Sequence, residues 1–583
     1  MMYSSPSIDE TDEFVYSEKM LPMRVLLYMN QNHLKKYGYS FVLLIGMVHY
    51  IIVTGGVISG LGKGITTASI GKILQFYGYN VTAMKIDPYI NFDAGTLRPT
   101  EHGEVWVTED GGEIDQDLGN YERFLDKNIP KHHNITTGQV YSAVIEKERK
   151  GEYLGKTVQP IPHVTDEIKR RIKQAAKEEK VDFILVEIGG TVGDYENILF
   201  LEAVRQMKLE GESIIFIHVT YVPALDTLGE QKTKPTQHSV KLLREIGIQP
   251  DFIIARSSKP LDDVRKNKIA LFCNVHINDV ISDPDIDNIY EVPLLFEEQG
   301  LSKKILTKLN LKKSRSNIGE WKRFVEESKK FDTLVRIGVV GKYFDIGSFQ
   351  LFDSYISVIE AVKHAAWFNQ FKPEIKWIDS KTFEKKPEKL KILDKLDGVI
   401  VPGGFGLSGI EGKIKTIKYC REKNIPYLGL CLGMQLAVVE YARNVCDLKD
   451  ANSTEIDKNT PHPVITFIPE QIKILHKSRY GATMRLGAYP AHLKKGTRVY
   501  ELYNQEVVYE RHRHRYEVNP EYVDLLEKKG LLFSGVSPDK VLMEFMELPN
   551  HKYFVATQAH PEFKSRPMKP APLFNGLIKA AKS

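Results

Sequence analysis

The chain has 583 residues, of which 42% are hydrophobic, 27% charged and 10% aromatic. This is the composition of a folded globular protein, and it excludes a disordered chain or a fibre. The net charge of +5, from 80 basic and 75 acidic residues, is small for the length, so no nucleic-acid-binding surface is predicted. At roughly 100–200 residues per domain, the length predicts about two to four folded units.

Cysteine usage and hydropathy indicate a reducing compartment. The four cysteines, Cys273, Cys420, Cys431 and Cys446, form no CxxC pair, which argues against a disulfide framework or a zinc site. The apolar stretch at residues 41–53 is shorter than the roughly 20 residues that a membrane-spanning helix needs. We therefore predict a cytoplasmic protein with no membrane partner.

Strand and helix patterns predict two α/β domains. Residues 1–46 carry acidic and polar runs without a clear period, so they are either a loosely ordered extension or precede a natural start at Met47, the preferred interpretation. Between 47 and 300, β-branched runs alternate with amphipathic stretches, which is typical of a doubly wound parallel sheet. Residues 301–334 are charged and predict a linker with a helix. The alternation resumes over 335–583, which predicts the second domain.

The first domain opens with a glycine-rich turn, VTGGVISGLGKGITT, at residues 53–67. A P-loop has the pattern GxxxxGK[ST], but with Gly62 and Lys63 as the GK pair the first position is Val57 and the last is Gly64. The physical requirements are still met, because glycines free backbone N–H groups, Lys63 supplies a cation and a helix follows. We interpret the turn as a phosphate-binding loop rather than a simple glycine turn.

A nucleoside triphosphate site needs a metal, and magnesium prefers carboxylate oxygens. Asp117 lies in the alternating acidic run EIDQDLG, and Glu187 closes the apolar run FILVE. An acid at the carboxyl end of a parallel strand lies where such sheets bind ligands. We predict Asp117 and Glu187 as metal ligands, with a solvated acidic loop as the alternative for Asp117. Thr66 and Thr67 are candidates for the hydroxyl that the loop pattern lacks.

A third segment of the first domain, KTKPTQHS at residues 232–239, has two lysines within three residues. Thr233, Thr236 and Gln237 add hydrogen-bonding groups, and Pro235 stiffens the turn. The segment suits a second phosphorylated ligand, although lysine pairs are usually solvated.

The second domain contains IPYLGLCLGMQLAV, in which Cys431 lies between a buried strand and an amphipathic helix. Gly429 and Gly433 flank it two residues to each side, as glycines flank the serine of the GxSxG nucleophile elbow. Such a turn exposes the side chain, and the helix N-terminus favours the thiolate over the thiol. The sequence therefore predicts a nucleophilic cysteine, with a buried structural cysteine as the alternative.

A catalytic thiol needs a base, and QAHPE near the C-terminus supplies His560 with Glu562 two residues later. Side chains two apart on an extended segment point the same way, so Glu562 can orient the imidazole that takes the thiol proton. The run PGGFG at residues 402–406 follows another strand and offers backbone N–H groups to an oxyanion. Together these residues predict a hydrolase that acts through a covalent thioester.

These motifs, in this order, resemble those of the CTP synthase family. The similarity runs from about Met47 to the C-terminus and includes GGVISGLGKGITTASIG, MKIDPYIN, HGEVWVTEDGGEIDQDLGNYERF, VEIGGTVGD, KTKPTQHSVKLL, KIALFCNV, PGGFG, GLCLGMQ, ANSTE, RHRHRYEVN and HPEF. It implies an N-terminal synthetase domain of the dethiobiotin-synthetase-like P-loop class and a C-terminal class I glutamine amidotransferase domain. It also implies ATP-dependent amination of UTP to CTP, with glutamine as nitrogen donor.

The resemblance also assigns roles to residues, with Cys431 as nucleophile, His560 as base and Glu562 as its orienter. It implies that the ATP phosphates are bound by Gly60, Leu61, Gly62, Lys63, Gly64 and Ile65, and that Mg²⁺ is bound by Asp117 and Glu187. It implies that the pyrimidine nucleotide, as UTP substrate or CTP inhibitor, is contacted by Ser59, Lys85, Asp194, Tyr195, Glu196, Lys232, Thr233, Lys234, Pro235, Thr236, Gln237 and Lys268. It implies that glutamine is bound by Gly404, Leu432, Gly433, Met434, Gln435, Glu455 and Arg515, of which Gly404 and the backbone of Leu432 form the oxyanion hole.

The family further implies GTP as allosteric activator of the glutaminase, inhibition by CTP, and a homotetramer. The run RHRHR at residues 511–515 otherwise suggests a solvated basic strand, but it matches the family's glutamine-binding segment. One departure is Gly60, where many members have a second serine.

Two other functions are compatible with parts of the sequence. Another P-loop amidotransferase, such as those that amidate cobyrinic acid, would share the loop and the elbow but is not expected to have KTKPTQHS with KIALFCNV. A nucleotide-sensing filament or scaffold protein without turnover is disfavoured, because both sets of catalytic residues are intact.

Overall fold

The computed structural model describes residues 47–97, 102–224, 230–312, 316–341, 345–346, 349–350, 352–404, 408–467 and 484–583. The predicted N-terminal extension, residues 1–46, lies outside these ranges. Residues Val48–Ser583 belong to a single unit, within which contacts between the two predicted domains are defined.

The first domain is built on a parallel sheet in the strand order β5-β2-β6-β1-β7-β8-β9. Both faces are covered, so that in β1 Ile51 and Val53 pack into one core and Tyr50 and Ile52 into the other. The strands are β1 (His49–Gly55), β2 (Val81–Asp87), β5 (Asn134–Thr136), β6 (Phe183–Ile188), β7 (Ser213–Tyr221), β8 (Phe252–Ser257) and β9 (Val280–Pro284), with a separate hairpin of β3 (Val105–Val107) and β4 (Glu113–Asp115).

Helices of this domain pack on both faces of the sheet. Apolar side chains of α1, α2 and α8 to α10 fill one core, and those of α3 to α5 fill the other. The helices are α1 (Lys63–Gln75), α2 (Asp117–Leu125), α3 (Thr137–Arg149), α4 (Thr165–Glu179), α5 (Ile198–Leu209), α6 (Lys234–Glu245), α7 (Asp263–Cys273), α8 (Val292–Glu298), α9 (Leu301–Lys308) and α10 (Gly319–Ser328).

The segment predicted as a linker, residues 301–334, contains α9 and α10. Leu301, Ile305, Trp321 and Val325 of these helices are buried in the first domain's core. The segment is therefore packed against the first domain, and the division of the chain at residue 300 stays a prediction.

The second domain has a mixed sheet in the order β13-β10-β14-β15-β23-β22-β21-β18-β19. Strands β13, β10, β14, β15 and β23 run parallel, and β22, β21, β18 and β19 continue the sheet antiparallel. The strands are β10 (Leu334–Gly341), β11 (Asp345–Ile346), β12 (Phe349–Gln350), β13 (Lys372–Asp379), β14 (Gly398–Val401), β15 (Tyr427–Leu430), β16 (Ala451–Ser453), β17 (His462–Phe467), β18 (Arg485–Leu493), β19 (Val507–His514), β20 (Tyr516–Val518), β21 (Leu532–Val536), β22 (Met543–Glu547) and β23 (Phe554–Thr557).

Helices flank this second sheet as well. They are α11 (Ile356–Phe368), α12 (Lys381–Lys385), α13 (Ile410–Lys423), α14 (Leu432–Asn444), α15 (Arg498–Tyr503), α16 (Val523–Lys528) and α17 (Pro572–Lys582). The predicted parallel α/β architecture is confirmed for both domains, and the antiparallel extension β22 to β19 is an addition that the sequence patterns did not predict. None of the helices in the described segments has the length and hydropathy of a membrane span.

Candidate active sites

The glycine-rich turn connects β1 to α1 in the first domain. Gly60 and Gly62 have φ of 73° and 82°, a conformation that glycine adopts without steric cost. Lys63 is the first residue of α1, and its buried Nζ donates a hydrogen bond to the carbonyl oxygen of Gly190 at 3.2 Å. The loop thus presents a lysine and a helix N-terminus at the carboxyl end of β1, the arrangement that binds phosphate.

Val57 has φ of 86°, in the left-handed region that β-branched residues rarely adopt. This is the position at which the P-loop pattern has its first glycine. The sequence departs from the pattern here, but the backbone keeps a conformation that favours glycine, and the turn is strained at this residue.

Carboxylates surround the ammonium of Lys85, which lies near the end of β2. Its Nζ lies 2.9 Å from Oε1 of Glu187 and forms an ion pair with Asp117, and carboxylate oxygens of Asp87 and Asp115 lie at 4.0 Å. Burial alone lowers the pKa of Lys85, but the charges of Asp117 and Glu187 outweigh it and raise the pKa well above its usual value. Lys85 therefore stays charged, within the predicted metal site rather than among the residues of the KTKPTQHS segment.

Asp117 and Glu187 fit a magnesium ion that also has phosphate ligands. Both supply carboxylate oxygens, and Mg²⁺ in nucleotide sites is commonly held by one or two carboxylates plus substrate phosphates. No group of three or more candidate metal-ligating side chains occurs in the described part of the chain, so a cage made by protein alone is not formed there. The buried hydroxyls of Thr66 and Thr67, early in α1, have no hydrogen-bond partner.

Eleven of the twelve residues assigned to the pyrimidine nucleotide fall into two groups, and the twelfth, Lys85, is the buried lysine beside Asp117 and Glu187. Thr233, Thr236 and Gln237 are buried at the start of α6, where Gln237 Nε2 donates to Thr233 Oγ1 at 3.0 Å. The others are exposed or half-buried and lie at Ser59, Asp194, Tyr195, Glu196, Lys232, Lys234, Pro235 and Lys268. Between the 194–196 turn and the 232–237 segment no hydrogen bond forms in the described structure, so a shared ligand site stays a prediction.

Cys431 forms a sharp turn between β15 and α14, with φ of 50° and ψ of −105°. Gly433 permits this turn, because a Cβ there would lie 2.1 Å from the carbonyl oxygen of Val401. The backbone N–H of Cys431 is fixed by a 2.8 Å hydrogen bond to Thr557 of β23. A strained, firmly held conformation at the start of a helix is what the predicted nucleophile elbow requires.

His560 follows β23 and lies beside Cys431. Its Nδ1 is 2.7 Å from Oε1 of Glu562, and its ring stacks on Phe563 at a centroid distance of 5.3 Å. Burial lowers the pKa of His560, but the charges of Glu562 and Cys431 outweigh this and raise the pKa to about 10. Glu562 therefore favours a protonated imidazole beside Cys431, which is the neighbour that an activated cysteine nucleophile needs.

Two cavities meet at Cys431. The smaller, of about 290 Å³, is lined by Gly404, Cys431, Leu432, Gln435, Glu455, His514, Arg515 and Tyr516. Five of the residues assigned to glutamine thus face one cavity with the nucleophile. Gly433 and Met434, also assigned to glutamine, lie in the buried first turn of α14 and do not line it.

The larger cavity, of about 590 Å³, extends from the same thiol to the first domain. It is lined by Gly404, Cys431 and His560 of the second domain and by Glu104 and Val105 of the first, among others. The space beside Cys431 is therefore lined by residues of both domains.

Comparison with known proteins agrees with this two-domain arrangement. The family description CTP synthase N-terminus matches residues 49–311, and Glutamine amidotransferase class-I matches residues 350–580. The CTP synthase of Pyrococcus abyssi is 58% identical over 539 residues, which cover 92% of this chain and 98% of the relative. That of Methanocaldococcus jannaschii is 55% identical over 542 residues, with coverage of 92% and 98%. The chain belongs to the CTP synthase family.

A solved CTP synthase structure was also matched. The Trypanosoma brucei CTPS glutaminase domain with bound acivicin is 39% identical, covers 42% of this chain and 93% of its own, and has a TM-score of 0.39.

Two polar residues in the cavity beside Cys431 of this CTP synthase family member were not singled out from the sequence. Glu104 and Arg513 both line the larger cavity, and Glu104 accepts a 3.1 Å hydrogen bond from the backbone N–H of Ser357. Burial raises the pKa of Glu104 to about 7, with hydrogen bonds from Ser357 opposing the shift. The only sequence signals were the runs HGEVWV and RHRHR, and neither shows that the two residues meet.

Proposed function

We propose that this enzyme converts UTP to CTP in pyrimidine nucleotide biosynthesis, with ATP as co-substrate and glutamine as nitrogen donor. The observation that carries the proposal is the larger cavity, which begins at Cys431 and is walled by Glu104 and Val105 of the other domain. A glutaminase thiol that opens towards a phosphate-binding domain fits the transfer of nitrogen from one domain to the other. Relatives that are 55% and 58% identical along 98% of their own length are CTP synthases, which supports the same reaction here.

The synthetase domain activates the pyrimidine in this scheme. ATP transfers its γ-phosphoryl group to O4 of UTP, which converts a poor leaving group into a good one. Lys63 and the backbone N–H groups of residues 60–65 hold the phosphates and stabilise the charge that develops on them. Asp117 and Glu187 hold Mg²⁺, which supplies further charge neutralisation at the phosphates. Lys85 keeps the two carboxylates in place by pairing with both.

The glutaminase domain supplies the nitrogen. His560, oriented by Glu562, takes the thiol proton, and Cys431 attacks the amide carbon of glutamine. The backbone N–H groups at Gly404 and Leu432 stabilise the oxyanion. His560 returns its proton to the departing nitrogen, so ammonia leaves and a thioester remains, which water hydrolyses to glutamate.

Glu455 and Arg515 hold the charged end of glutamine in this proposal. Both line the smaller cavity together with Cys431, and one carboxylate and one guanidinium suit the ammonium and carboxylate of an amino acid.

Ammonia then passes through the enclosed space between the domains to C4 of the activated pyrimidine. In bulk water at neutral pH most of it would take up a proton and lose its nucleophilicity. The residues that enclose the larger cavity limit this loss, and the products are CTP, ADP, phosphate and glutamate.

Regulation and assembly follow the family in this proposal. GTP activates the glutaminase, CTP inhibits by occupying the pyrimidine site, and four chains assemble into a homotetramer.

The test is an assay with UTP, ATP and Mg²⁺, supplied with either glutamine or ammonium chloride and with or without GTP. Pyrimidine absorbance is followed, and CTP is identified by chromatography. We expect CTP with both nitrogen sources and GTP stimulation only with glutamine. Absence of CTP at saturating substrates with both nitrogen sources would contradict the proposal.

A further inference from the structure

Strand β19 lies between the two domains at the edge of the second sheet. Side chains of alternate residues point to the same face of a strand, and here Arg511 and Arg513 both point at the first domain. Arg511 Nη2 lies 2.8 Å from Oε2 of Glu122, and Arg513 Nε lies 2.8 Å from Oε1 of Glu113. Arg511 and Glu122 are completely buried, and each has a second charge partner, Glu109 for Arg511 and Arg566 for Glu122.

The guanidinium of Arg511 is held by further groups of the first domain. It donates to the carbonyl oxygen of Val107 at 2.9 Å and to Glu109 at 3.1 Å, and it lies over the ring of Trp106 at 5.3 Å. Four contacts fix its position, so residue 511 cannot move without the hairpin β3–β4 and helix α2.

The main chain of the same two residues holds the catalytic pair. Strand β18 occupies one edge of β19, and the other edge is left for groups outside the sheet. At that edge the carbonyl oxygen of Arg511 accepts the backbone N–H of His560 at 2.8 Å. The carbonyl oxygen of Arg513 lies 3.8 Å from Sγ of Cys431 and accepts its S–H. Strand β19 therefore connects the two domains directly. Its arginine side chains bind the first domain, and its backbone carbonyl oxygens accept hydrogen bonds from the catalytic residues.

The carboxylates that bind these arginines belong to the segment that forms the phosphate and metal site. Glu113 lies in β4, Asp117 begins α2 and pairs with Lys85, and Glu122 is five residues further along the helix. The ten residues 113–122 therefore contact the nucleotide site through Asp117, near their centre, and strand β19 through the glutamates at their two ends.

We infer that Glu113 and Glu122 are positioning residues for the glutaminase, which align Cys431 and His560 from the other domain through Arg511 and Arg513. This inference rests on the proposed function and adds to it the residues through which the synthetase domain acts on glutamine hydrolysis. Neither carboxylate touches glutamine or the reacting atoms.

The competing explanation is that these contacts only hold the domains together. Tyr290 provides a matched control, since its buried hydroxyl bonds Glu360 and His364 of the second domain at 2.8 and 2.7 Å. Tyr290→Phe removes a buried contact between the domains without touching β19 or the catalytic residues. A purely structural role predicts similar effects for Tyr290→Phe and for changes at 122 or 511.

The experiment compares Arg511→Lys, Glu122→Gln and Tyr290→Phe in the full-length protein. Arg511→Lys keeps a positive charge beside Glu122, so folding is retained even if Glu122→Gln fails to fold. Each variant is assayed for glutamate release, for CTP formation from ammonium chloride, and for the rate at which iodoacetamide alkylates Cys431, measured by mass spectrometry of the labelled peptide. Melting temperature reports folding.

We expect Arg511→Lys to lower kcat for glutamine hydrolysis by about tenfold, with KM changed by less than about threefold. Alkylation of Cys431 slows, and CTP formation from ammonia stays within about twofold of the parent. Tyr290→Phe lowers the melting temperature but leaves both glutamine hydrolysis and alkylation within about twofold.

The inference is wrong if Arg511→Lys and a folded Glu122→Gln affect glutamine hydrolysis no more than Tyr290→Phe does. It is equally wrong if they lower ammonia-dependent and glutamine-dependent CTP formation to the same extent. A parent protein that makes no CTP from either nitrogen source would overturn the proposed function instead. Alkylation of Cys431 needs no nucleotide, so the comparison of variants still decides the inference in that case.

Discussion

Asp117 lies directly against the backbone of Gly64, so that a Cβ at Gly64 would be 2.0 Å from Asp117 Oδ1. Gly64→Ala must displace the carboxylate, and with it a proposed magnesium ligand and a partner of Lys85. We expect CTP formation from ammonia to fall by about a hundredfold. Glutamine hydrolysis measured without nucleotides stays near the parent rate.

Gly60→Ala is the control for that change. Gly60, unlike Gly64, has a positive φ, and a Cβ there would meet no atom within 4 Å. Its cost is therefore backbone strain of about 1 kcal/mol, and the loss of rate is less than about tenfold. If both variants lose the same activity, the contact with Asp117 is not the cause.

Val57 holds a left-handed conformation that glycine adopts more easily. Strain of this kind costs about 1–3 kcal/mol of folding free energy. Glycine relieves the strain but loses more chain entropy on folding, which cancels about 1 kcal/mol of the gain. We expect Val57→Gly to raise the free energy of unfolding of the first domain by about 1 kcal/mol. Thermal melting checks this, with Ile58→Gly as a neighbouring change that lowers stability. A lower melting temperature for Val57→Gly would show that Val57 makes compensating contacts.

Cys431→Ala separates the two half-reactions. Because the thiol is the proposed nucleophile and the synthetase carboxylates are untouched, CTP formation with glutamine is abolished while formation with ammonium chloride continues near the parent rate. The measurement is the CTP assay with each nitrogen source. Loss of the ammonia-dependent reaction in a folded variant would contradict a two-site enzyme.

The pH dependence of the glutaminase follows from the His560–Glu562 pair. With the pKa of His560 near 10, its imidazole keeps the proton that the departing nitrogen needs through the neutral range and loses it only as pH rises towards 10. Glu562→Gln removes a raising charge, so the alkaline fall in hydrolysis moves to lower pH. A profile of kcat/KM between pH 6 and 10 for both proteins measures the shift.

The same pKa predicts a change in stability. A folded-state pKa above the unfolded value of 6.5 stabilises the fold fully below pH 6.5, and this contribution disappears as pH rises through about 10. The difference in melting temperature between the parent and Glu562→Gln is therefore largest at acid pH and shrinks towards pH 10. A difference that grows with pH would mean that another group dominates.

Features that depend on neighbouring residues could be predicted from the sequence. The order strand, glycine turn and helix around Lys63, and the elbow around Cys431, are set by local periodicity and by glycines at fixed offsets. Glu187 was expected at a ligand site because it closes a buried strand, and parallel sheets bind ligands at the carboxyl ends of their strands, while Asp117 was predicted from an alternating acidic run. The structure brings both to the ammonium of Lys85.

Features that depend on pairings across the chain could not be predicted. Taken alone, RHRHR suggested a solvated basic strand. Its own sequence does not show that Arg511 is buried against a carboxylate 389 residues away. Glu104 likewise meets the glutaminase cavity only because the two domains are docked. The antiparallel strands β22 to β19 were not predicted either, and the pairing of β18 with β21 is the one among them that skips intervening strands.

The buried pair of Glu122 and Arg511 has a consequence for the ancestry of the chain. A charge enclosed at an interface tolerates replacement only if the charges that pair with it change as well. Glu122 pairs with Arg566 as well as with Arg511, and Arg511 also pairs with Glu109, so these positions should co-vary as a set among homologues. A glutaminase half transplanted from a distant relative should work poorly unless its strand β19 matches the recipient, and we expect the two halves to be inherited together.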